Sequence, residues 1–345
     1  MRITKLDGLR GVFSLMVVFY HYPIDFIPHS VHDFFLVAKS YLFVDFFFVL
    51  SGFVISYNYD DHINNKGELG VFMRKRFIRL YPLLIFSTLV FLFVTLGVKV
   101  FLPQFASNKD SFLPAILDTI NTLTFLNSTP IFDDNFGGNS YGMNYPSWSI
   151  SAEMFAYFFF GIITLWAVRK KKNIILASSI FIGMAFLLTK NLTGLEGNFD
   201  FVRGILSFNI GYFVYLFTRN GRMTNNNWEI VVLVIFFGLF IFTLLHTNGI
   251  VSYLMDTPPF QFLGKISYSV YLNHAILVYI IPKGVFSVFH LPQSLGIEIA
   301  IMLLTVLLVV VYSHFTYILI EVGGGNILKR LWVKRRAVPI KESAI

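Results

Sequence analysis

Nine apolar runs of about twenty residues dominate the 345-residue sequence, at roughly 9–27, 41–59, 81–102, 147–168, 174–190, 201–218, 228–246, 265–282 and 295–320. About 20 mostly apolar residues are what a helix needs to cross the hydrocarbon core of a bilayer. Inside lipid every backbone N–H and C=O must be satisfied within its own element, so runs of this length are helices. Composition agrees: 56% of the residues are hydrophobic and 13% charged, where a soluble domain has about a quarter charged. Polar side chains are too few to cover a water-soluble globule. The expected fold is all-α, a polytopic integral membrane bundle of about 9–10 transmembrane helices.

The formal charge of +8 does not point to nucleic acid, because the basic residues fall in short clusters between apolar runs. Arg2 and Lys5 precede the first run, and Arg74, Lys75, Arg76 and Arg79 lie between the second and third. Arg169 to Lys172 follow the fourth, Arg219 and Arg222 the sixth, and Lys329, Arg330, Lys334, Arg335 and Arg336 lie in the tail. Segment 103–146 instead carries Asp110, Asp118, Asp133 and Asp134 against Lys109. By the positive-inside rule the basic connections face the cytoplasm and 103–146 faces outward. Stretch 113–126 is apolar enough to lie along the interface. Nine spans put the two basic termini on opposite sides. Either a short or re-entrant tenth segment lies near 247–264, or a late span is misassigned.

The first run lacks a small-residue cleavage site and contains Arg10 and His21. It reads as a retained helix rather than a secretory signal. Residues 1–328 read as one membrane domain and 329–345 as a basic cytoplasmic tail. The chain has no cysteine, which excludes disulfides, thiolate metal sites and thiol nucleophiles.

Ionisable residues inside spans are costly and mark candidate functional positions. Arg10 and His21 are 11 residues apart, about three helical turns plus 20°, so they share a face about 16 Å apart along the axis. A neutral imidazole there can act as a general base; it can equally be a hydrogen-bonded packing residue. Asp45 and Glu153 are acids embedded in apolar sequence. Glu153 lies about 9 Å down a helix that begins at Ser147, so His21, Asp45 and Glu153 are expected to meet in the outer half of the membrane. Catalytic support and simple helix clasping both fit such a group. The segment Lys66 to Pro82 is basic and amphipathic. It reads either as a topology signal on anionic lipid or as a phosphate dock built from guanidinium forks. Ser51-Gly52 reads as a small-residue packing notch rather than a nucleophile. His29 and His32 form an H-x-x-H pair with no obvious third ligand, so no metal site is expected.

Five segments in order resemble the membrane acyltransferase-3 family. Leu6-Asp-Gly-Leu-Arg10 followed by His21 is similar to its R-x10-H element, and Val44 to Phe53 to its D-x-FF-x-LSG stretch. Arg76-Phe-Ile-Arg79-Leu-Tyr-Pro82 is similar to its R-x-x-R-x-x-P, and Ser147 to Glu153 to its W-S-x-x-x-E. Leu263 to His274 is similar to its LG-[KR]-ISYS-x-YL-x-H, whereas Glu321 is followed by Val322-Gly323 in place of the family's usual Arg-Pro.

The resemblance implies a bacterial inner-membrane enzyme that transfers an acyl group, acetyl in many relatives, from cytoplasmic acyl-CoA to a carbohydrate hydroxyl. It implies His21 as catalytic base, with Asp45 and Glu153 in support. Arg10, Arg76 and Arg79 would bind acyl-CoA as co-substrate, and Trp148, Tyr268 and His274 would contact the glycan. The implied partners are acyl-CoA, a cell-surface or lipid-linked carbohydrate such as O-antigen or exopolysaccharide, and membrane lipid. A proton-coupled carrier or flippase for a lipid-linked glycan also uses buried His–acid groups, and is the competing expectation.

Overall fold

A computed structural model describes residues 4–101, 112–132, 140–167, 169–193, 199–220 and 250–336. The helices used below are α1 Thr4–Tyr20, α2 Phe43–Tyr59, α3 Lys66–Phe101, α4 Phe112–Leu123, α5 Trp148–Trp166 and α6 Arg169–Thr193. They continue with α7 Asp200–Asn220, α8 Ile250–Met255, α9 Pro258–Phe289, α10 Leu295–Thr316 and α11 Gly323–Arg336. A π-helical turn, Tyr317–Val322, joins the last two. No strand occurs among the described residues, and seven of their helical segments are long and apolar enough to cross a membrane. The fold is the expected all-α polytopic bundle. The run at 228–246 lies outside the described residues.

Two boundaries differ from the sequence expectation, each for a local reason. The first helix spans Thr4–Tyr20 rather than 9–27. Pro23 ends it, since the residue before a proline is pushed out of the helical region and proline itself has no N–H to offer. His21 therefore sits at the helix end, its N–H still bonded to Val17 O at 3.2 Å. The region 247–264 holds the six-residue α8 and the first turns of α9, which starts at Pro258 and not near 265. Proline in the first turn of α9 suits the helix, because the missing N–H has no intrahelical partner there. At 12 residues, α4 is too short to span. Phe112, Leu113, Ile116 and Ile120 are exposed on one face while Thr119 and Asn121 are buried on the other, as an interfacial helix requires.

The bundle is built from helix pairs in backbone contact: α1 lies along α9, α2 along α7, and α7 also meets α5 and α6. Close approach needs small residues at the crossing. A Cβ at Gly11 would strike the backbone of Gly264, and one at Gly264 would strike the backbone of Asp7. The α2–α7 crossing is built the same way, with Gly52 against the Phe208 carbonyl and Gly211 against the Val49 carbonyl. Around these crossings Phe46, Leu50, Leu83, Phe160, Phe208 and Tyr212 form the main core.

Candidate active site

The Gly11–Gly264 contact sets the register of the site. His21 lies ten residues beyond Gly11, and His274 lies ten residues beyond Gly264. Helices running side by side in the same direction therefore bring the two imidazoles to one level, about 15 Å along the axis. His274 Nε2 and His21 Nδ1 are 3.1 Å apart. His21 Nδ1 also lies 3.0 Å from Val17 O, and His274 Nδ1 lies 2.7 Å from Tyr271 O. Backbone carbonyls only accept, so each Nδ1 carries the proton. With both rings neutral, His274 Nε2 accepts from His21 Nδ1–H, and the His21 Nε2 lone pair is left bare. His274 is wholly buried, whereas His21 is partly exposed and faces Tyr145, the ring centres 5.2 Å apart. Only His21 presents a proton acceptor to an incoming molecule.

The two carboxylates are not partners of His21, contrary to the sequence expectation. Asp45 is clasped by Arg203 through Nε to Oδ1 at 2.8 Å and Nη2 to Oδ2 at 2.6 Å, with Ser207 donating to Oδ1 at 3.2 Å. The same guanidinium reaches Tyr41 O at 3.2 Å and lies 5.5 Å above the Trp148 ring. Glu153 instead takes the hydroxyls of Ser51, at 2.6 Å, and Tyr157. Carboxylates inside a bundle bond the nearest fixed donors, and depth along a helix does not identify those donors. Arg203 escaped the sequence reading although a cation inside an apolar run is the natural partner for Asp45.

Glu153 faces a cavity of about 100 Å³ between α1, α2, α3, α5 and α9. Arg10 and Arg79 line it, with Ser51, Tyr157, Tyr268 and Tyr271. Arg10 bonds Asp7 at 3.2 Å, and Arg79 makes no hydrogen bond among the described residues while lying within electrostatic range of Glu153 and Glu321. The π turn carries Glu321, which accepts from Ser269 Oγ at 2.9 Å. Inside α3, Pro82 lacks the N–H that would close the helical bond to Ile78. Two residues before the proline, Leu80 O accepts from Tyr268 Oη at 2.8 Å.

A wider cavity of about 580 Å³ opens between the C-terminal end of α2 and the N-terminal part of α3, with Glu68 also in its wall. Its wall includes Tyr59, His62, Lys75, Arg76 and again Arg79. Arg76 lies 5.5 Å over the Tyr59 ring and reaches Tyr59 Oη at 3.5 Å. Its buried Nε has no hydrogen-bond partner among the described residues. A guanidinium fork left partly unused at the mouth of a cavity is suited to an anionic ligand. Arg79, shared by both cavities, marks where one meets the other. Nearby Arg74 stacks on Trp332 of α11 at 4.1 Å.

The remaining histidines are dispersed. His32 bonds Asp33 at 2.9 Å on the exposed connection after α1, and no group of three His, Asp or Glu among the described residues is placed to hold a metal. Of the expected glycan contacts, Trp148 lies against Arg203 and Phe48, Tyr268 lines the inner cavity, and His274 uses both ring nitrogens internally.

A family model described as an acyltransferase domain matches residues 3–257. Protein 2 in the picA locus of Rhizobium radiobacter is 40% identical over 90 residues, 25% of this chain and 42% of that protein. The chain thus spans less than half the length of this relative. No solved structure matches.

Proposed function

The chain belongs to this acyltransferase family, and from that premise we propose that it transfers an acyl group, acetyl in the simplest case, from cytoplasmic acyl-CoA to a hydroxyl of a cell-surface or lipid-linked carbohydrate. The bare Nε2 of His21 is the observation that carries the reading, because hydroxyl attack on a thioester needs a base with an exposed lone pair. The two cavities support the donor assignment. In this reading the wider one takes the phosphates of CoA on Lys75, Arg76 and Arg79, and the narrower one takes the thinner acyl-bearing arm. The family and the apolar helices fit a bacterial inner membrane, with the basic connections on the donor side.

The chemistry then follows from where protons and charges go. His21 Nε2 removes the acceptor hydroxyl proton as its oxygen bonds the thioester carbonyl carbon. The tetrahedral oxyanion that results forms beside His21; Arg10, about 16 Å back along α1, and Arg79 line the narrower cavity and hold the donor arm in place. The carbon–sulfur bond breaks, the thiolate takes the proton from His21, and CoA leaves the way it entered. Glu153, held by Ser51 and Tyr157, balances the two arginines. Asp45 acts at one remove, by fixing Arg203 against Trp148, a residue assigned here to the glycan.

Transfer of label tests this directly. Membranes carrying the protein, given acetyl-labelled acetyl-CoA and a lipid-linked glycan extract, should place label in an alkali-labile ester of the glycan. Glycan moved across the bilayer with no label incorporated would favour the carrier reading instead.

A further inference from the structure

Wholly buried, His274 has one ring nitrogen bound to a backbone carbonyl and the other to a histidine. That arrangement leaves it no nitrogen for a sugar hydroxyl, and its surroundings are fixed on every side. The Tyr271 carbonyl that takes its Nδ1–H belongs to a residue whose own hydroxyl accepts from Ser149 Oγ at 2.9 Å. Asn144 reaches the same turn of α9, its amide donating to Leu272 O at 3.1 Å and to Ser87 Oγ at 3.1 Å. The α1–α9 glycine contact holds the two helices at the level where the rings meet. A histidine held in this way has one tautomer, Nδ1–H with Nε2 as acceptor.

We propose that His274 is the positioning residue for His21, accepting its Nδ1–H so that the Nε2 lone pair of His21 points to the acceptor hydroxyl. This rests on the reading of His21 as base. The role is the one a carboxylate plays behind many catalytic histidines, filled here by a neutral imidazole. When His21 gains the hydroxyl proton, its positive charge is shared through the Nδ1–H bond to a polar neighbour that needs no reorganisation. The proton later leaves from the same Nε2 for the CoA thiolate, so His274 exchanges none and the step balances. Sequence gave no direct sign of this pairing, since the two rings are 253 residues apart. The helix end set by Pro23 serves this pairing: a ring in the last turn can lean to its neighbour while its N–H still bonds Val17 O.

The tautomer of His21 tests the proposal apart from activity. In ¹⁵N-histidine-labelled full-length protein in nanodiscs, with the His21 signals identified by their loss in His21→Gln, Nδ1 should be protonated and Nε2 bare. In His274→Phe the Val17 carbonyl alone remains to take the His21 Nδ1–H, so the tautomer should become mixed, with part of the proton moving to Nε2. Kinetically, His274→Phe should lower kcat about 100-fold with the acyl-CoA KM nearly unchanged. His274→Gln, whose side-chain oxygen can reach the Nε2 position, should stay within about tenfold of wild type. A protonated Nε2 on wild-type His21 overturns the proposal even if His274→Phe does not fold. So does equal impairment of the Gln and Phe variants with an unchanged His21 tautomer. If His21→Ala retains full acyl transfer while the tautomer is as expected, the base reading fails and the positioning geometry stands.

Discussion

Two buried arginine–carboxylate groups in this bundle use the same residue types to different ends. Around Asp45 the valences are filled: Arg203 binds it through two parallel hydrogen bonds, Ser207 adds a third, and the guanidinium also satisfies Tyr41 O. Around Glu153 they are not. Arg10 and Arg79 line an open cavity, Arg79 hydrogen-bonds nothing among the described residues, and Arg76 beyond it has an unused buried Nε. A closed pair joins α2 to α7 and resists disturbance, while an open one keeps cations available for a ligand. Residue type alone does not separate these two ionic groups; the open cavity beside Arg10 and Arg79 does.

Breaking the closed pair should produce the largest loss of stability. Arg203→Leu leaves Asp45 as an uncompensated buried charge, so unfolding in detergent should show a loss of about 3–5 kcal/mol. The double variant Asp45→Leu/Arg203→Leu should recover most of it. A double variant no more stable than the single one would mean that the pair is not closed in the sense argued. The open group should respond the other way. Arg79→Met should lower kcat/KM for acetyl-CoA about 100-fold, close to 2.7 kcal/mol, with an unfolding temperature within a few degrees of wild type. A large stability loss with unchanged donor kinetics would reverse the two assignments.

Smaller effects sharpen the same contrast. Tyr157→Phe removes one hydroxyl from Glu153, leaving Ser51, and should cost about 1 kcal/mol, read as a several-fold fall in turnover. Trp332→Ala removes the stack on Arg74, one residue before Lys75 of the wider cavity's wall. Its cost is about 0.5–1 kcal/mol, read as a modest rise in the donor KM. Because Arg74 is outside both cavity walls, any effect on kcat would contradict its place in this account.

How much of this was legible in the sequence depended on distance along the chain. Arg10 and His21 share a helix, so their relation followed from the helical repeat, and the basic approach to Pro82 was visible as a cluster. The short α4 was visible as the apolar stretch 113–126, though not which of its faces would be buried. Partners on separate helices could not. His274 and His21 meet because Gly11 and Gly264 fix a register, and glycine contacts leave no signature that names the opposing helix. Asp45 found Arg203 rather than His21 for the same reason: burial requires a partner without specifying which one. The end of α1 was readable from Pro23, but the apolar run continuing to residue 27 masked it.

The account stands most directly on acyl-CoA turnover by the purified protein in nanodiscs, wild type against His21→Ala, with a lipid-linked glycan extract as acceptor. It predicts glycan-dependent release of free CoA by wild type and a loss of at least about 1000-fold in the variant, with acetyl-CoA still bound. Equal release by both proteins, or no binding of acetyl-CoA to either, would contradict it.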